Sequence, residues 1–357
     1  MFSLVFEGKN WFRLLESDRA ADLPGKDVIY RFLNQASFAW RRFLQALSLR
    51  IVRHFESLIS SQRVRVFIID DSVLSRNRSK KAELLARFFD HSTGKFIKGY
   101  TMLTLGWSDG FSFAPLDFVM LSSAKITNRL CGMASNLSKR SHGYKRRMEA
   151  FSRKPDAVVA LLERALRAGF TADYVLMDSW FTQAPLLRDL TIACGLPVKL
   201  IFVRNRSKKR EWLAIFSIDV TLDAAEMVRI YGMRWSIETF FKVTKSYLKL
   251  GTEFQGRSFD GLISHTTIVF SRYLAMEYER RQSSDERTLG GLFFLFADEV
   301  RDLDYQSALQ QLMSLFLEMY QAKTKKNKTA VFCQLQEWIS GLPSYIKGLF
   351  GDLSCES

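Results

Sequence analysis

Hydrophobic and polar residues change their spacing several times along this chain, and each spacing predicts a different element. Residues 26–34 and 37–59 carry apolar side chains three or four positions apart with arginines between them, which predicts two helices. Residues 63–71 form a short β-branched run that ends in two aspartates, which is typical of a buried strand. The chain therefore begins helical and then enters a sheet.

Two more strands are predicted at 100–107 and 113–121. The turn-forming residues Ser108, Asp109 and Gly110 between them predict a hairpin. The elements predicted after this hairpin are a basic loop (122–154), a helix (156–168), a strand (174–177), a short helix (183–193), two strands (198–204 and 212–218) and a long helix (223–251).

Helical spacing returns from residue 262 onward and is interrupted by a polar, linker-like segment at 282–287. Helices are predicted there at 262–281, 292–303, 305–322 and 331–339. The pattern divides the chain into an N-terminal helical region (1–60), an α/β domain (61–260) with a short β insertion at about 198–220, and a C-terminal helical region (261–357).

The long helix at 223–251 carries four polar residues on one face. At about 100° per residue, Tyr231, Arg234, Glu238 and Lys245 fall within a stripe about 60° wide. Much of the remaining surface of this helix is apolar and suited to a core. The stripe therefore predicts a functional site that faces a cleft.

Capping signals support the same helix. Asp223 and Glu226 have the spacing of a capping box, and Gly251 provides a C-terminal stop. Gly232 in the interior costs about 1 kcal/mol relative to alanine, which predicts that another group packs closely against the backbone there.

Composition restricts the class of protein. The 357 residues are 47% hydrophobic, which is enough for a buried core and excludes a disordered chain. A net charge of +15 favours a polyanionic partner, although a merely basic soluble protein is the alternative. The longest apolar runs are too short to span a bilayer, and the N-terminus lacks the pattern of a signal peptide.

The cysteines are widely separated and form no C-x-x-C pair, so neither a zinc site nor a disulfide framework is predicted. A reducing cytoplasm is the simplest location for such a chain. The four cysteines are Cys131, Cys194, Cys333 and Cys355.

Three carboxylates stand out because of the elements that carry them. Asp71 and Asp178 each end a predicted strand, and Glu238 lies on the later helix. Mg²⁺ takes oxygen ligands, and two such ions can clamp the attacking and leaving oxygens of a phosphoryl transfer. A single aspartate at a strand end is more often a turn or capping residue, so the prediction depends on all three together.

A basic hexapeptide, Arg-Asn-Arg-Ser-Lys-Lys, occurs twice, at 76–81 and 204–209. Each copy follows a predicted strand, so both are predicted to be loops that contact phosphates. Two solvated charge runs are the alternative. The cations concerned are Arg76, Arg78, Lys80, Arg204, Arg206 and Lys208.

The helical stripe has the spacing of a known signature. Tyr231, Arg234, Glu238 and Lys245 are similar, without a gap, to the YREK signature of the IS4-type DDE transposases. The resemblance extends over residues 63–121 and 171–275. It implies an RNase H-like α/β fold, a mixed sheet flanked by helices, in which the first and fourth strands are neighbours.

The segments around Asp71 and Asp178 resemble the regions of the first and second catalytic aspartates in that family. The resemblance implies that Asp71, Asp178 and Glu238 form a triad that holds divalent metal, Mg²⁺ or Mn²⁺, as two ions. Asp70 is the alternative for the first position. Asp71 is preferred because the family pattern places serine or threonine next, where this chain has Ser72.

The resemblance also implies a substrate and an assembly. Tyr231, Arg234 and Lys245 would contact transposon-end phosphates, and residues 1–60 would help to bind the DNA end. The protein would be a transposase of an insertion sequence, a homodimer on double-stranded DNA in the bacterial cytoplasm and nucleoid. It would cleave at the terminal inverted repeats and transfer strands into target DNA.

An aromatic residue in the β insertion holds a flipped base in related enzymes. Trp212 occupies a suitable region, and stacking of a base on an indole is physically reasonable. Trp180 and Trp235 are the alternatives for this role, and a packing role is open for all three.

The chain departs from the family between the second aspartate and the glutamate. Only 238 − 178 = 60 residues separate Asp178 from Glu238, and one of the two strands predicted there must complete the main sheet. The insertion is therefore at most a remnant hairpin. A compact transposase, a metal-dependent nuclease of the same fold and a decayed, inactive DNA-binding remnant all remain open.

Overall fold

The computed structural model describes a little over two thirds of the chain. It covers residues 3–8, 11, 15, 23–58, 63–90, 94–178, 199–204, 212–217, 219–253, 256–282 and 288–300. The chain divides into two compact units, one of Met1–Val5 with Lys9–Phe293 and one of Phe6–Gly8 with Phe294–Ser357. The helices predicted at 183–193, 305–322 and 331–339 lie outside the described residues.

Seven strands and seven α-helices are described in the first unit. The strands are β1 (Val66–Ser75), β2 (Ala86–Asp90), β3 (Lys95–Ser108), β4 (Phe113–Leu121), β5 (Tyr174–Met177), β6 (Lys199–Arg204) and β7 (Trp212–Ser217). The helices are α1 (Lys26–Leu33), α2 (Trp40–Ser57), α3 (His142–Glu149), α4 (Lys154–Arg167), α5 (Ala224–Gly232), α6 (Trp235–Ser246) and α7 (Phe259–Gln282).

The main sheet is mixed and has β1 near its centre. β1 pairs antiparallel with β3 along its whole length and parallel with β5, where Ile69 lies opposite Met177. β3 also pairs with β2 through its first residues and with β4 through its last. The predicted neighbourhood of the first and fourth strands is confirmed, and the sheet with its flanking helices is the predicted RNase H-like α/β arrangement.

The core lies on both sides of this sheet. Every residue of β4 is buried, as expected for a near-continuous apolar strand covered on both faces. Helices α2 and α7 pack against β4. The predicted hairpin is also confirmed, because β3 and β4 pair antiparallel with Ser108 opposite Phe113. Gly110 takes the left-handed conformation, with φ +85°, in the turn between them.

Strands β6 and β7 form a separate hairpin, in which Lys199 lies opposite Ser217 and Arg204 opposite Trp212. Within the described residues, neither strand pairs with the main sheet. The prediction that one of them completes the main sheet is therefore wrong. All six residues of β6 pair with the six residues of β7.

The helix predicted at 223–251 is interrupted. α5 ends at Gly232 and α6 begins at Trp235, and the N–H groups of Met233 and Arg234 donate to carbonyls three residues back, as in a 3₁₀ turn. A Cβ added at Gly232 would contact nothing within 4 Å, so the predicted close packing there is wrong.

The predicted helix start is confirmed and the predicted end is not. The Asp223 side chain accepts the Glu226 N–H at 2.7 Å, which caps α5. Glu226 itself pairs with Arg229 instead of completing the capping box. Gly251 is left-handed, with φ +77°, but it lies in a turn after α6 has ended at Ser246.

Two elements have no counterpart in the sequence prediction. β2 is a short edge strand, and α3 lies inside the region interpreted as a basic loop. Ser141 caps α3 by accepting the Tyr144 N–H. None of the helices among the described residues combines the length and the apolarity that a membrane crossing requires.

Candidate active site

The two aspartates of β1 point to opposite faces of the sheet, because successive side chains of a strand alternate. Asp70 Oδ2 accepts from Arg234 Nη1 at 3.2 Å, on the face covered by α6. Asp71 Oδ2 accepts from Lys154 Nζ at 2.9 Å, at the start of α4. Although they are adjacent in sequence, Asp70 lies beside Arg234 and Asp71 lies beside Lys154.

Strand register brings Asp178 next to Asp70. β1 and β5 run parallel with Ile69 opposite Met177. Asp70 follows Ile69 and Asp178 follows Met177, so the two aspartates are neighbours in this register. β5 ends at Met177 whereas β1 continues to Ser75, so the pair lies where the shorter strand stops. The negative charge of Asp178 also contributes to raising the pKa of Arg234.

Glu238 lies in the first turn of α6 and shares a cation with Asp70. Arg234 Nη1 donates to Glu238 Oε1 at 3.4 Å, one helical turn away along the chain, as well as to Asp70. The Arg234 side chain is 9% exposed and that of Glu238 is 44% exposed. The guanidinium thus joins a buried carboxylate to one that solvent and a ligand can reach.

Burial dominates the electrostatics of this cluster. It raises the pKa of Asp70 to about 7, with the hydrogen bond from the Asp71 N–H opposing it and the charge of Glu238 adding to it. Burial also acts to lower the pKa of Arg234, but the surrounding negative groups outweigh it and the pKa is raised. Arg234 therefore remains a cation between the carboxylates.

The structure places Asp71, the residue preferred for the first position of the triad, on the opposite face of the sheet from Asp70. The structure brings Asp70, Asp178 and Glu238 around Arg234, while Asp71 faces the other side and pairs with Lys154. The preference relied on the serine that follows Asp71, and a sequence neighbour does not report which face of the sheet a side chain takes.

The other members of the helical stripe lie beside the cluster. The Arg234 guanidinium lies 5.9 Å from the centre of the Tyr231 ring. Burial lowers the pKa of Lys245, while the charges of Asp90 and Glu238 act in the opposite direction. Tyr231, Arg234 and Glu238 therefore stay together across the 3₁₀ turn between α5 and α6.

An exposed indole borders the same cluster. Trp235 is 63% exposed, and its ring lies 5.5 Å from the Arg234 guanidinium. The backbone of Trp212 begins β7, but its side chain lies outside the described structure, as does all of Trp180. Trp235 is therefore the candidate for base stacking whose side chain the structure describes, and it lies beside Arg234.

The first basic repeat has a mixed role. Arg76 donates to the carbonyl of Gly251, and burial lowers its pKa, so it anchors the turn after α6. Arg78 and Lys80 are exposed. In the second repeat, Arg204 ends β6 and its side chain is not described, while Arg206 and Lys208 lie outside the described residues.

The donor set suits a hard cation. Asp70 and Glu238 each direct one carboxylate oxygen to the same guanidinium nitrogen, so both oxygens can reach a single positive charge. Carboxylate oxygens are the ligands that Mg²⁺ and Mn²⁺ accept. As the described side chains stand, no three acidic, histidine or cysteine residues are close enough to share a metal ion.

The sequence also contains a signal that favours Asp70 over Asp71. Four apolar or aromatic residues precede Asp70 in β1 (Val66–Ile69), and four precede Asp178 in β5 (Tyr174–Met177). Alignment of the two runs as parallel neighbours pairs these aspartates directly. Lys154, the partner of Asp71, had no such local signal because 83 residues separate them.

A mixed sheet with aspartates on two neighbouring parallel strands, and a helical glutamate against one face, is the framework of the RNase H-like class of proteins. The chain belongs to the DDE superfamily endonuclease family, whose model matches residues 18–215, more than half of the chain. The match contains Asp70, Asp71 and Asp178 and ends before α6. No match to the chain was found among curated proteins.

Proposed function

We propose that this protein is a DNA transposase similar to the IS4-type enzymes, which cleaves DNA at transposon ends and transfers the cut strand into target DNA. The observation that carries this proposal is the meeting of Asp70 and Glu238 on Arg234, with Asp178 beside them in the strand register. Membership of the DDE superfamily endonucleases supports a reaction on nucleic acid phosphates.

Asp70, Asp178 and Glu238 would hold the divalent metal that DDE superfamily nucleases generally use. When bound, Mg²⁺ or Mn²⁺ ions activate the attacking oxygen and stabilise the leaving oxygen of a phosphodiester. The two strand carboxylates are fixed by the sheet, whereas Glu238 is carried by the more exposed helix. The sheet therefore supplies a rigid half of the site, which favours precise positioning.

The cations of the stripe suit the DNA backbone. Arg234 offers a planar guanidinium, which can bind a phosphate in two places, and Lys245 extends the positive charge towards the other end of α6. Tyr231 lies against Arg234 and can hold that guanidinium in one orientation. These three residues would position the scissile strand against the carboxylates.

The whole chain suits a large polyanionic partner. Its net charge of +15 would attract double-stranded DNA over long range and make binding depend strongly on salt. Within this proposal, residues 1–60 help to bind the DNA end, residues 61–260 form the catalytic domain and residues 261–357 form a C-terminal helical region. Synapsis of two ends would use two copies of the chain.

Replacement of Glu238 by glutamine tests the proposal directly. Glu238→Gln keeps the shape of the side chain but removes a metal-binding charge, so we expect loss of DNA cleavage with DNA affinity retained. The measurement is Mg²⁺- or Mn²⁺-dependent nicking of DNA that carries the terminal inverted repeats flanking the coding region. Glu226→Gln is the matched control, since Glu226 lies on α5 and pairs with Arg229 on the surface.

Cleavage retained by Glu238→Gln would remove this residue from the catalytic site. An absence of cleavage by the unmodified protein, with DNA binding preserved, would identify a DNA-binding remnant instead of an active transposase.

One observation favours a second function. The hairpin β6–β7 is small, with six residues in each strand, where the related transposases carry a substantial β insertion. A metal-dependent DNA nuclease could use the same carboxylates without strand transfer. Cleavage that ignores the terminal repeats and gives no joined product would select the nuclease.

A further inference from the structure

The hairpin of β2 and β3 presents aromatic rings to solvent. Phe89 lies directly opposite Phe96, with ring centres 5.3 Å apart, and these side chains are 43% and 63% exposed. Arg87 lies opposite Lys98 on the same face, because side chains alternate along a strand. Phe89 and Phe96, with Arg87 and Lys98 beside them, therefore form one face of the hairpin. Exposure of the two rings to water does not stabilise the fold, so the face suits contact with a partner.

Arg87 is held by stacking and keeps its hydrogen-bond donors available. Its guanidinium lies 4.8 Å from the centre of the Phe96 ring, and Arg87 is exposed. Within the described part of the chain, no carboxylate pairs with it, whereas other arginines such as Arg147 and Arg164 are bound to carboxylates. A guanidinium stacked on a ring still offers its edge to a phosphate, and the stack reduces the entropy lost on binding.

This outward face lies on the same side of the sheet as Asp70. Asp70 is opposite Thr104 in the register of β1 and β3, and Phe96 lies an even number of residues before Thr104 on β3. Eight residues at about 3.3 Å each place Phe96 about 26 Å from the level of Asp70. At about 3.4 Å per base pair, this spans roughly eight base pairs of duplex.

The space beside the hairpin is concave and polar at its far wall. A cavity of about 480 Å³ lies between the hairpin and the end of β4. Its walls are Ala86, Arg87, Phe88, Phe89 and Phe96 on the hairpin, Thr101 and Leu121 on β3 and β4, and Ser122, Ser123 and Asn128 on the segment after β4. Hydroxyl and amide groups opposite an arginine suit a phosphate backbone better than an apolar partner.

We infer that the β2–β3 hairpin is a second contact for duplex DNA, with Arg87 binding a backbone phosphate about eight base pairs from the cleavage point. This inference rests on the proposed function, because it takes the carboxylate site as the place where DNA is cut. Phe96 acts as a positioning residue that orients the Arg87 guanidinium. The hairpin would therefore fix the direction in which DNA leaves the catalytic site.

The salt dependence of DNA binding tests this contact. Arg87→Gln should reduce the slope of log K against log salt concentration by about 1, because one phosphate contact is lost. Phe96→Leu should weaken binding in the same direction, and Phe96→Tyr, which keeps a ring, should restore it. Arg167→Gln is the control of equal charge change, since Arg167 is exposed on α4 and pairs with Glu163.

The length of the DNA separates the possible outcomes. On duplexes that carry the terminal repeat, the Arg87→Gln effect should vanish once the DNA extends fewer than about eight base pairs from the cut. An effect that persists on the shortest DNA, or equals that of Arg167→Gln, would overturn the hairpin contact while cleavage remained intact. Failure of the unmodified protein to bind or cut any duplex would instead overturn the proposed function as well.

Discussion

Asp70 and Asp71 show how much a single position can decide. They are adjacent in β1, yet Asp70 contacts the cation that also binds Glu238, and Asp71 contacts Lys154 on the other face. The Asp71 N–H also donates to the Asp70 carboxylate at 2.8 Å. Asp71 therefore holds the strand and orients Asp70, and Asp70 is the carboxylate that faces the candidate site.

Matched substitutions at the two positions should separate these roles. We expect Asp70→Asn to reduce metal-dependent DNA cleavage by at least about 100-fold, because a buried charge that a cation needs is removed. Asp71→Asn should retain most of the cleavage rate, since its side chain faces Lys154. Initial rates of nicking at saturating Mn²⁺ measure both effects. The opposite order of the two variants would return Asp71 to the triad.

At the scale of the element, helix α7 shows that a core helix can carry a polar network. Arg272 binds Glu253 through two hydrogen bonds of 2.7 and 2.9 Å, and His265 Nε2 accepts the Gly251 N–H at 3.1 Å. These contacts tie α7 to the turn that follows α6. They hold the end of the helix that carries Glu238 and Lys245.

The buried imidazole in α7 makes stability depend on pH. Burial lowers the pKa of His265 from 6.5 to about 3, so the folded protein keeps it neutral while the unfolded chain binds a proton below about pH 6.5. Its contribution is present above pH 6.5 and is lost as the pH falls towards 3. In the unmodified protein, protonation of His265 over this window costs on the order of 5 kcal/mol of the free energy of unfolding, and His265→Asn should remove this loss.

Urea unfolding at a series of pH values between 3 and 7 measures this effect. His54→Asn is a control, because His54 lies near the surface of α2 and bonds to Gln282. An unchanged pH profile in His265→Asn would show that other groups cause the acid sensitivity.

At the scale of the whole molecule, buried ion pairs join segments that are far apart in the chain. Asp260 of α7 accepts from Arg146 and Arg147 of α3 at 2.8 Å each, and Arg147 also binds Glu83 in the β1–β2 connection. The Glu83 carboxylate in turn accepts the N–H of Phe259. One cluster therefore holds α3, α7 and the sheet in place.

Removal of the central carboxylate should destabilise the whole unit. Asp260→Ala leaves two buried guanidinium groups without their shared partner, so we expect a loss of about 3–5 kcal/mol in the free energy of unfolding. Asp156→Ala should change stability little, because its pair with Arg153 is exposed to solvent. Chemical denaturation of both variants measures the difference, and equal effects would contradict a structural role for the cluster.

The sequence by itself determined most of the elements that the structure describes, and their order. The apolar runs of β1, β4 and β5 and the helical spacing of α2 and α4 predict their own structure, because periods of 2 and 3.6 residues report which side of an element is buried. The contact of Arg234 with Glu238 was equally accessible, since it spans one helical turn. The neighbourhood of β1 and β5 followed from the resemblance to a known fold.

Only the tertiary structure decided which aspartate faces Glu238, where the long helix breaks and which cations remain available. The face taken by Asp70 depends on β1 register, and its contact with Arg234 joins residues 164 positions apart. Edge strand β2 and the Arg87 stack likewise depend on β3 as a partner. Local spacing cannot encode these choices, because their energies come from groups that meet only when the chain has folded.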